Sequence, residues 1–279
     1  RMEMDQEAGG QIKAIDKNTV HRICSGQVVV DLATAVKELV ENSLDAGATS
    51  VEITLKEYGT AAIEVADNGT GLKPEDYEGI TTKYATSKLK NFSDLTSVTS
   101  FGFRGEAVSS LCELSGGFSI LTRTKEDNVG CKLEYDRTGK VTSQGPSPRT
   151  VGTTVCISNL FEPLPVRRGE FTRQSKKHYG RMLRVMQAYA LIATKPRLTL
   201  RHYRAKGGAQ NVLSTQINST VKENIISIFG TKFQQTLLDF SVAHNSPDPA
   251  SAADSANHPT SEGKTATELG AEPGGTEQG

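Results

Sequence analysis

The stretch Lys37-Glu38-Leu39-Val40-Glu41-Asn42-Ser43-Leu44-Asp45-Ala46-Gly47-Ala48 constrains this chain more than any other. Glu38, Asn42 and Asp45 are spaced i, i+4 and i+7. A helix here therefore puts a carboxylate, a carboxamide and a second carboxylate on one face. Val36, Leu39, Val40 and Leu44 form an apolar side that can pack onto a sheet. Acid and amide oxygens aimed together suit a hard cation such as Mg2+ and a water. The same pattern also fits an amphipathic helix whose polar face is merely solvated.

Three further segments bear on that choice. Ala61-Ala62-Ile63-Glu64-Val65-Ala66 reads as a strand, and Asp67-Asn68-Gly69-Thr70-Gly71 follows as a turn. Phe101-Gly102-Phe103-Arg104-Gly105-Glu106-Ala107-Val108 is a glycine-flanked turn running into a helix. Gly152-Thr153-Thr154-Val155 enters a strand continued by Cys156-Ile157. In this order and at these separations the four motifs resemble the GHKL ATPases. The wording KELVENSLDAGAT, DNGTG, ATSK, GFRGEAVSSL and LPVRRGEF is similar to MutL mismatch-repair proteins. HRICSGQVVVDLATAVKELVENSLDAGA resembles their eukaryotic postmeiotic-segregation branch, and the likeness runs over roughly residues 11–240.

The resemblance implies an α+β fold, a layer of helices on a mixed, largely antiparallel sheet with a truncated second α/β domain. It also implies roles. Glu38 is the expected general base and Asn42 the Mg2+ ligand. Asp67 is expected to accept from the exocyclic amine of adenine, with Thr154 supporting it from a neighbouring strand. Ala46 and Gly71 are expected beside the nucleotide. Thr86 and Ser87 fall in a segment expected to fold over it as a lid. Gly102, Gly105, Glu106, Ala107 and Val108 form an expected phosphate cradle at a helix N-terminus, where free N–H groups meet the positive end of the dipole. Within it Glu106 is expected to cap the helix, and Arg104 to contact phosphate or to make a structural ion pair. Each residue also has a plainer reading: Asp-Asn-Gly is a common turn, and a surface glutamate needs no reaction. His21, His178 and His202 have no partners at ligand spacing and receive no role.

Lysine plus arginine and aspartate plus glutamate both number 32, but the balance is uneven along the chain. Residues 244–279 carry six acids against Lys264 alone, so the remainder is about five charges positive. That permits contact with nucleic acid without demonstrating it. Cys24, Cys112, Cys131 and Cys156 lack metal or redox spacing, which fits reduced thiols. No apolar run approaches membrane-spanning length, and the polar start does not read as a signal peptide.

Four segments are expected: a flexible leader over 1–10, the ATP-binding domain over 11–205, a partial second domain over 206–243 and a disordered acidic tail over 244–279. The tail lacks the apolar surface to offset chain entropy. Strands are expected at Val51–Tyr58, Ile63–Ala66, Phe118–Thr124, Cys131–Tyr135, Thr153–Ser158 and Leu198–Arg204. Ile12–Ile23 reads as a short strand and helix, and Pro74–Asn91 as polar and mobile. A long helix is expected over Phe171–Ala193. Another is expected over Val221–Phe233, opened by a capping box of Thr220 and Glu223.

The function implied is Mg2+-dependent ATP binding and slow hydrolysis, a conformational switch in DNA mismatch repair. The implied partners are a second MutL-family subunit and DNA, bound non-specifically, in the nucleus and with no membrane. The family's second domain supplies a lysine to the γ-phosphate, and no counterpart is found after Phe233. The alternative is therefore a fragment that binds ATP or a partner without turnover.

Overall fold

The structure, a computed structural model, describes residues 16–83, 100–102 and 105–238. Helices α1 (Lys17–Val28) and α2 (Leu32–Asp45) lead into strands β1 (Ser50–Lys56) and β2 (Ala62–Asp67). Helix α3 (Ala107–Leu114) precedes β3 (Gly117–Arg123), β4 (Gly130–Tyr135), β5 (Val141–Ser147) and β6 (Gly152–Ser158). Helices α4 (Pro165–Arg173) and α5 (Ser175–Ile192) follow, then the β7 (Arg197–Arg204) and β8 (Gly208–Ser214) hairpin, and finally α6 (Val221–Phe229) and α7 (Thr231–Gln234). The strands form one sheet in the order β5-β4-β3-β6-β2-β1-β7-β8. Every pairing is antiparallel except β1 with β7, the mixed, largely antiparallel sheet expected.

Strand alternation builds the core. Ile53, Val65, Val155, Ile120 and Leu133 lie side by side across five strands and face the helices. Helix α2 covers them with Leu32, Val36, Leu39 and Val40, all essentially without solvent contact. Each such side chain contributes about 2 kcal/mol relative to exposure. Asp31 caps α2 by accepting from the Thr34 N–H at 2.9 Å, and Arg181 of α5 donates to its other oxygen at 2.9 Å. The cap thus also fixes α2 against α5.

Several boundaries differ from expectation. The single helix over Phe171–Ala193 is broken at Gln174, which adopts φ −103° and ψ 21° between α4 and α5. The helix over Val221–Phe233 is interrupted at Gly230, whose φ of 87° is outside the helical region. Its capping box is present: the Thr220 N–H donates to Glu223 at 2.7 Å, and the Glu223 N–H to Thr220 Oγ1 at 3.2 Å. Strands β5 and β8 were not anticipated, since both are polar edges with few apolar residues to alternate. The expected domain boundary after residue 205 falls next to strand β8. That point lies inside the β7–β8 hairpin of the one sheet, and a single compact unit runs to Leu237. The leader, most of the expected lid and the acidic tail lie outside the described residues.

Candidate functional site

A cleft of about 580 Å³ opens beside the C-terminal half of α2, over the ends of β2 and β6 and beside the start of α3. Strand parity sets its floor. Asp67 follows Ile63 and Val65 on the core-facing side of β2, so a carboxylate terminates an apolar row. The Gly69 N–H (2.8 Å) and Thr153 N–H (3.2 Å) both donate to Asp67 Oδ1, and Ser43 Oγ lies 3.0 Å from Oδ2. Burial raises its pKa above the ordinary 3.8, although these three donors and the nearby Arg149 charge oppose the rise. The Arg149 guanidinium donates to the Asp67 carbonyl at 2.8 Å and to that of Gly152 at 3.2 Å, clamping the two strand ends.

Of the expected site residues, Asn42, Ala46, Asp67, Gly71 and Val108 line this cleft. The Asn42 carboxamide makes no hydrogen bond to another described residue. Thr154 does not line the cleft. The register pairs it with Ala66, and it is Thr153, one residue earlier, that meets Asp67 and shares its face. Glu38 lies one turn before Asn42 but outside the lining, its Oε1 held by Lys37 Nζ at 3.1 Å. Asp45 does line the cleft, yet its carboxylate is engaged. The Phe101 N–H donates to Oδ1 and the Gly102 N–H to Oδ2, each at 3.0 Å. Gly102 therefore donates to a carboxylate on α2, where a free phosphate-cradle N–H was expected.

Gly105 has a φ of 62°, a conformation suited to glycine at the turn into α3. Glu106 is the N-cap residue of α3, but its side chain makes no capping bond. Ala107 opens that helix. Thr86, Ser87 and Arg104 lie outside the described residues. The glycines after Asp67 are required by the protein itself. A Cβ on Gly71, at φ 78°, would lie 2.2 Å from the Arg123 carbonyl oxygen, and one on Gly69 would lie 2.8 Å from that of Ala46.

The sequence reading missed Ser43, Arg149, Glu41 and Tyr189. Local signals existed for Ser43, a polar residue four positions after Leu39 on the apolar side of α2, and for Glu41, four positions after Lys37 on the same helix. Arg149 and Tyr189 depend on contacts between residues far apart in sequence.

Residues 30–151 match a family described as histidine kinase-, DNA gyrase B- and HSP90-like ATPase. The chain is 53% identical over 232 residues to mismatch repair endonuclease pms1 of Dictyostelium discoideum, covering 83% of this chain and 23% of that protein. It carries a MutL-type GHKL ATPase domain. Human mismatch repair endonuclease PMS2 is 50% identical over 234 residues, covering 84% of this chain and 27% of that protein. The chain thus spans about a quarter of the length of these relatives. Among solved structures, the N-terminal domain of a DNA repair protein superposes with a TM-score of 0.68 at 44% identity, covering 76% of this chain and 60% of that one. The Aquifex aeolicus MutL ATPase domain complexed with ADP does so with a TM-score of 0.56 at 29% identity, covering 71% and 68%. The resemblance inferred from the four motifs holds, as does the layer of helices on a mixed, largely antiparallel sheet that it implied.

Proposed function

We propose that this MutL-type domain binds Mg2+-ATP in the cleft above Asp67 and hydrolyses it slowly, as a conformational switch in DNA mismatch repair. The observation that carries the reading is the Asp67 carboxylate at the end of an apolar row. It is an acceptor fixed by Ser43, Gly69 and Thr153, at a depth where an adenine amine would meet it. The relative solved with ADP supports a nucleotide of this kind. Asn42 fits the metal: its carboxamide lines the same cleft and offers a hard oxygen. Among the described residues no three His, Cys, Asp or Glu side chains are grouped to hold an ion. Asn42 would therefore contribute one oxygen to a shell shared with phosphate and water. Bound there, Mg2+ would neutralise phosphate charge. Glu38 is the proposed base, taking a proton from the attacking water.

A second MutL-family subunit as partner, non-specific DNA contact and a nuclear location are parts of the same proposal. Isothermal titration with a non-hydrolysable ATP analogue, with and without Mg2+, tests it. Saturable, Mg2+-enhanced binding is expected, and no binding at millimolar analogue would overturn it. The reading without turnover is favoured by one observation, that Glu38 lies outside the cleft lining. Phosphate release by the parent chain, compared with Glu38→Ala, separates the two.

A further inference from the structure

Lys37 stands between two carboxylates. Its Nζ lies 2.7 Å from Glu41 Oε2, one helical turn on, and 3.1 Å from Glu38 Oε1. Glu41 is only 5% exposed, and the Tyr189 hydroxyl of α5 donates to its remaining oxygen. A buried carboxylate is costly unless its oxygens are satisfied, and here both are, by groups from two helices. Burial raises the Tyr189 hydroxyl's pKa, and the bond to Glu41 raises it further, so it remains a donor. Burial pulls the Lys37 ammonium down, but its bonds to Glu41 and Glu38 more than offset this and keep it charged. The Tyr189 ring also packs against Phe101 at 6.3 Å between centroids, and the Phe101 N–H is one of the two held by Asp45.

We propose that Glu41 and Tyr189 are positioning residues for hydrolysis: through Lys37 they fix the Glu38 carboxylate, engaging Oε1 and leaving Oε2 for the water. This rests on Glu38 being the base. A purely structural role would need only the Glu41–Tyr189 tie between α2 and α5. The second bond of Lys37, to Glu38, carries that tie to the proposed reacting group. With Glu41 neutral, Lys37 loses its charged partner, and with Tyr189 lacking its hydroxyl, Glu41 loses the donor that holds it in place; either way the support of the Glu38 rotamer loosens.

The test uses the 279-residue chain with Tyr189→Phe, Glu41→Gln, Glu38→Ala and the double variant Glu38→Ala/Tyr189→Phe. Tyr189→Phe keeps the ring against Phe101 and removes only the donor. Single-turnover hydrolysis with protein in excess should fall on the order of tenfold in Tyr189→Phe and Glu41→Gln, because misplaced catalytic groups lose rate steeply. Affinity for a non-hydrolysable ATP analogue should stay within about twofold, since a group that acts only on the chemical step leaves ground-state binding unchanged. In the Glu38→Ala background Tyr189→Phe should have no further effect, because it acts through the missing carboxylate. A structural defect would instead lower analogue affinity and would lower the residual rate in the Glu38→Ala background too, and that result overturns the proposal. Parent-like hydrolysis by both Glu41→Gln and Tyr189→Phe, with Glu38→Ala impaired, overturns positioning alone. A parent chain no faster than Glu38→Ala removes Glu38 as the base, and the positioning role falls with it.

Discussion

Asp67→Asn isolates the group that would read the base, because the fold tolerates the exchange while the recognition does not. The amide oxygen can take the place of Oδ1 and keep the donors from Gly69 at 2.8 Å and Thr153 at 3.2 Å. The amide nitrogen then replaces Oδ2 beside Ser43. Ser43 Oγ also lies 3.1 Å from the Leu39 carbonyl oxygen, so its proton can turn there and its lone pair can accept from the new amide. The variant should fold with a stability change of about 1 kcal/mol or less, the net worth of one hydrogen bond. For the nucleotide the exchange is severe. An adenine amine aimed at this edge meets a donor where it met an acceptor, and an unsatisfied donor costs roughly 1–3 kcal/mol. At about 1.4 kcal/mol per factor of ten, ATP affinity should fall by about 5- to 150-fold. A purine with a carbonyl at that position gains an amide donor, so GTP or ITP should weaken less or tighten. Parallel titrations of ATP and ITP, with thermal unfolding to verify folding, give the ratio directly. A folded variant whose ATP-to-ITP ratio matches the parent's would refute the reasoning and leave Asp67 as a turn residue.

Four other outcomes follow from the same contacts. Asn42→Ala should leave analogue binding insensitive to Mg2+, and a titration showing the parental Mg2+ enhancement would remove Asn42 as the metal's oxygen. Glu38→Ala should retain analogue affinity within a few-fold and lose hydrolysis by a factor of about 100 or more, the usual contribution of a general base; parental turnover argues against that role. Gly71→Ala should destabilise the domain by on the order of 3 kcal/mol, since its Cβ would lie 2.2 Å from the Arg123 carbonyl oxygen at a φ of 78°, and an unchanged midpoint in urea would contradict this. Finally, folded Asp67 binds its proton more tightly than the unfolded chain, whose ordinary value is 3.8. Stability from this group is therefore greatest at low pH and falls as pH rises from 3.8 through the higher folded value. Denaturation of the parent and Asp67→Asn between about pH 4 and 7 should show the variant gaining relative to the parent over that window, and a flat difference would show that burial does not raise the group.

Legibility followed burial. The helix with Glu38 and Asn42 and the strands with Ile53, Val65, Ile120 and Ile157 were readable because one buried face imposes a period on the sequence. The edge strands β5 and β8 carry no such period: Thr142, Ser143, Gln144, Gln210 and Asn211 belong to solvent-facing ladders whose bonds are made by the backbone. The break at Gln174 was hidden because Phe171 and Met182 are both buried, so the apolar pattern runs on through the change of direction.

The site was legible in its residue types and illegible in its partners. Asp67 and Asn42 were expected from the motifs shared with the GHKL ATPases, since the local patterns alone read as a common turn and a solvated helix face, and both residues line the cleft. Thr154 was named where Thr153 shares the cleft face, because strand parity depends on register. A one-residue difference moves a side chain to the opposite face of the sheet, and nothing local to β6 sets its register against β2. Asp45 was grouped with Glu38 and Asn42 by helical spacing, yet its oxygens are taken by the Phe101 and Gly102 N–H groups, 56 and 57 residues away. The same holds for Glu41, whose Tyr189 partner lies 148 residues on. Helical period therefore gives the face on which a group stands, and only tertiary contact decides whether its oxygens are open to a ligand or already engaged. On α2 that division leaves Asn42 in the cleft without a side-chain hydrogen bond to another described residue, and it ties Asp45 to the glycine-rich turn. Glu38 is held through Lys37, so the helix carries the proposed ligand group and the supports for its neighbours on one surface.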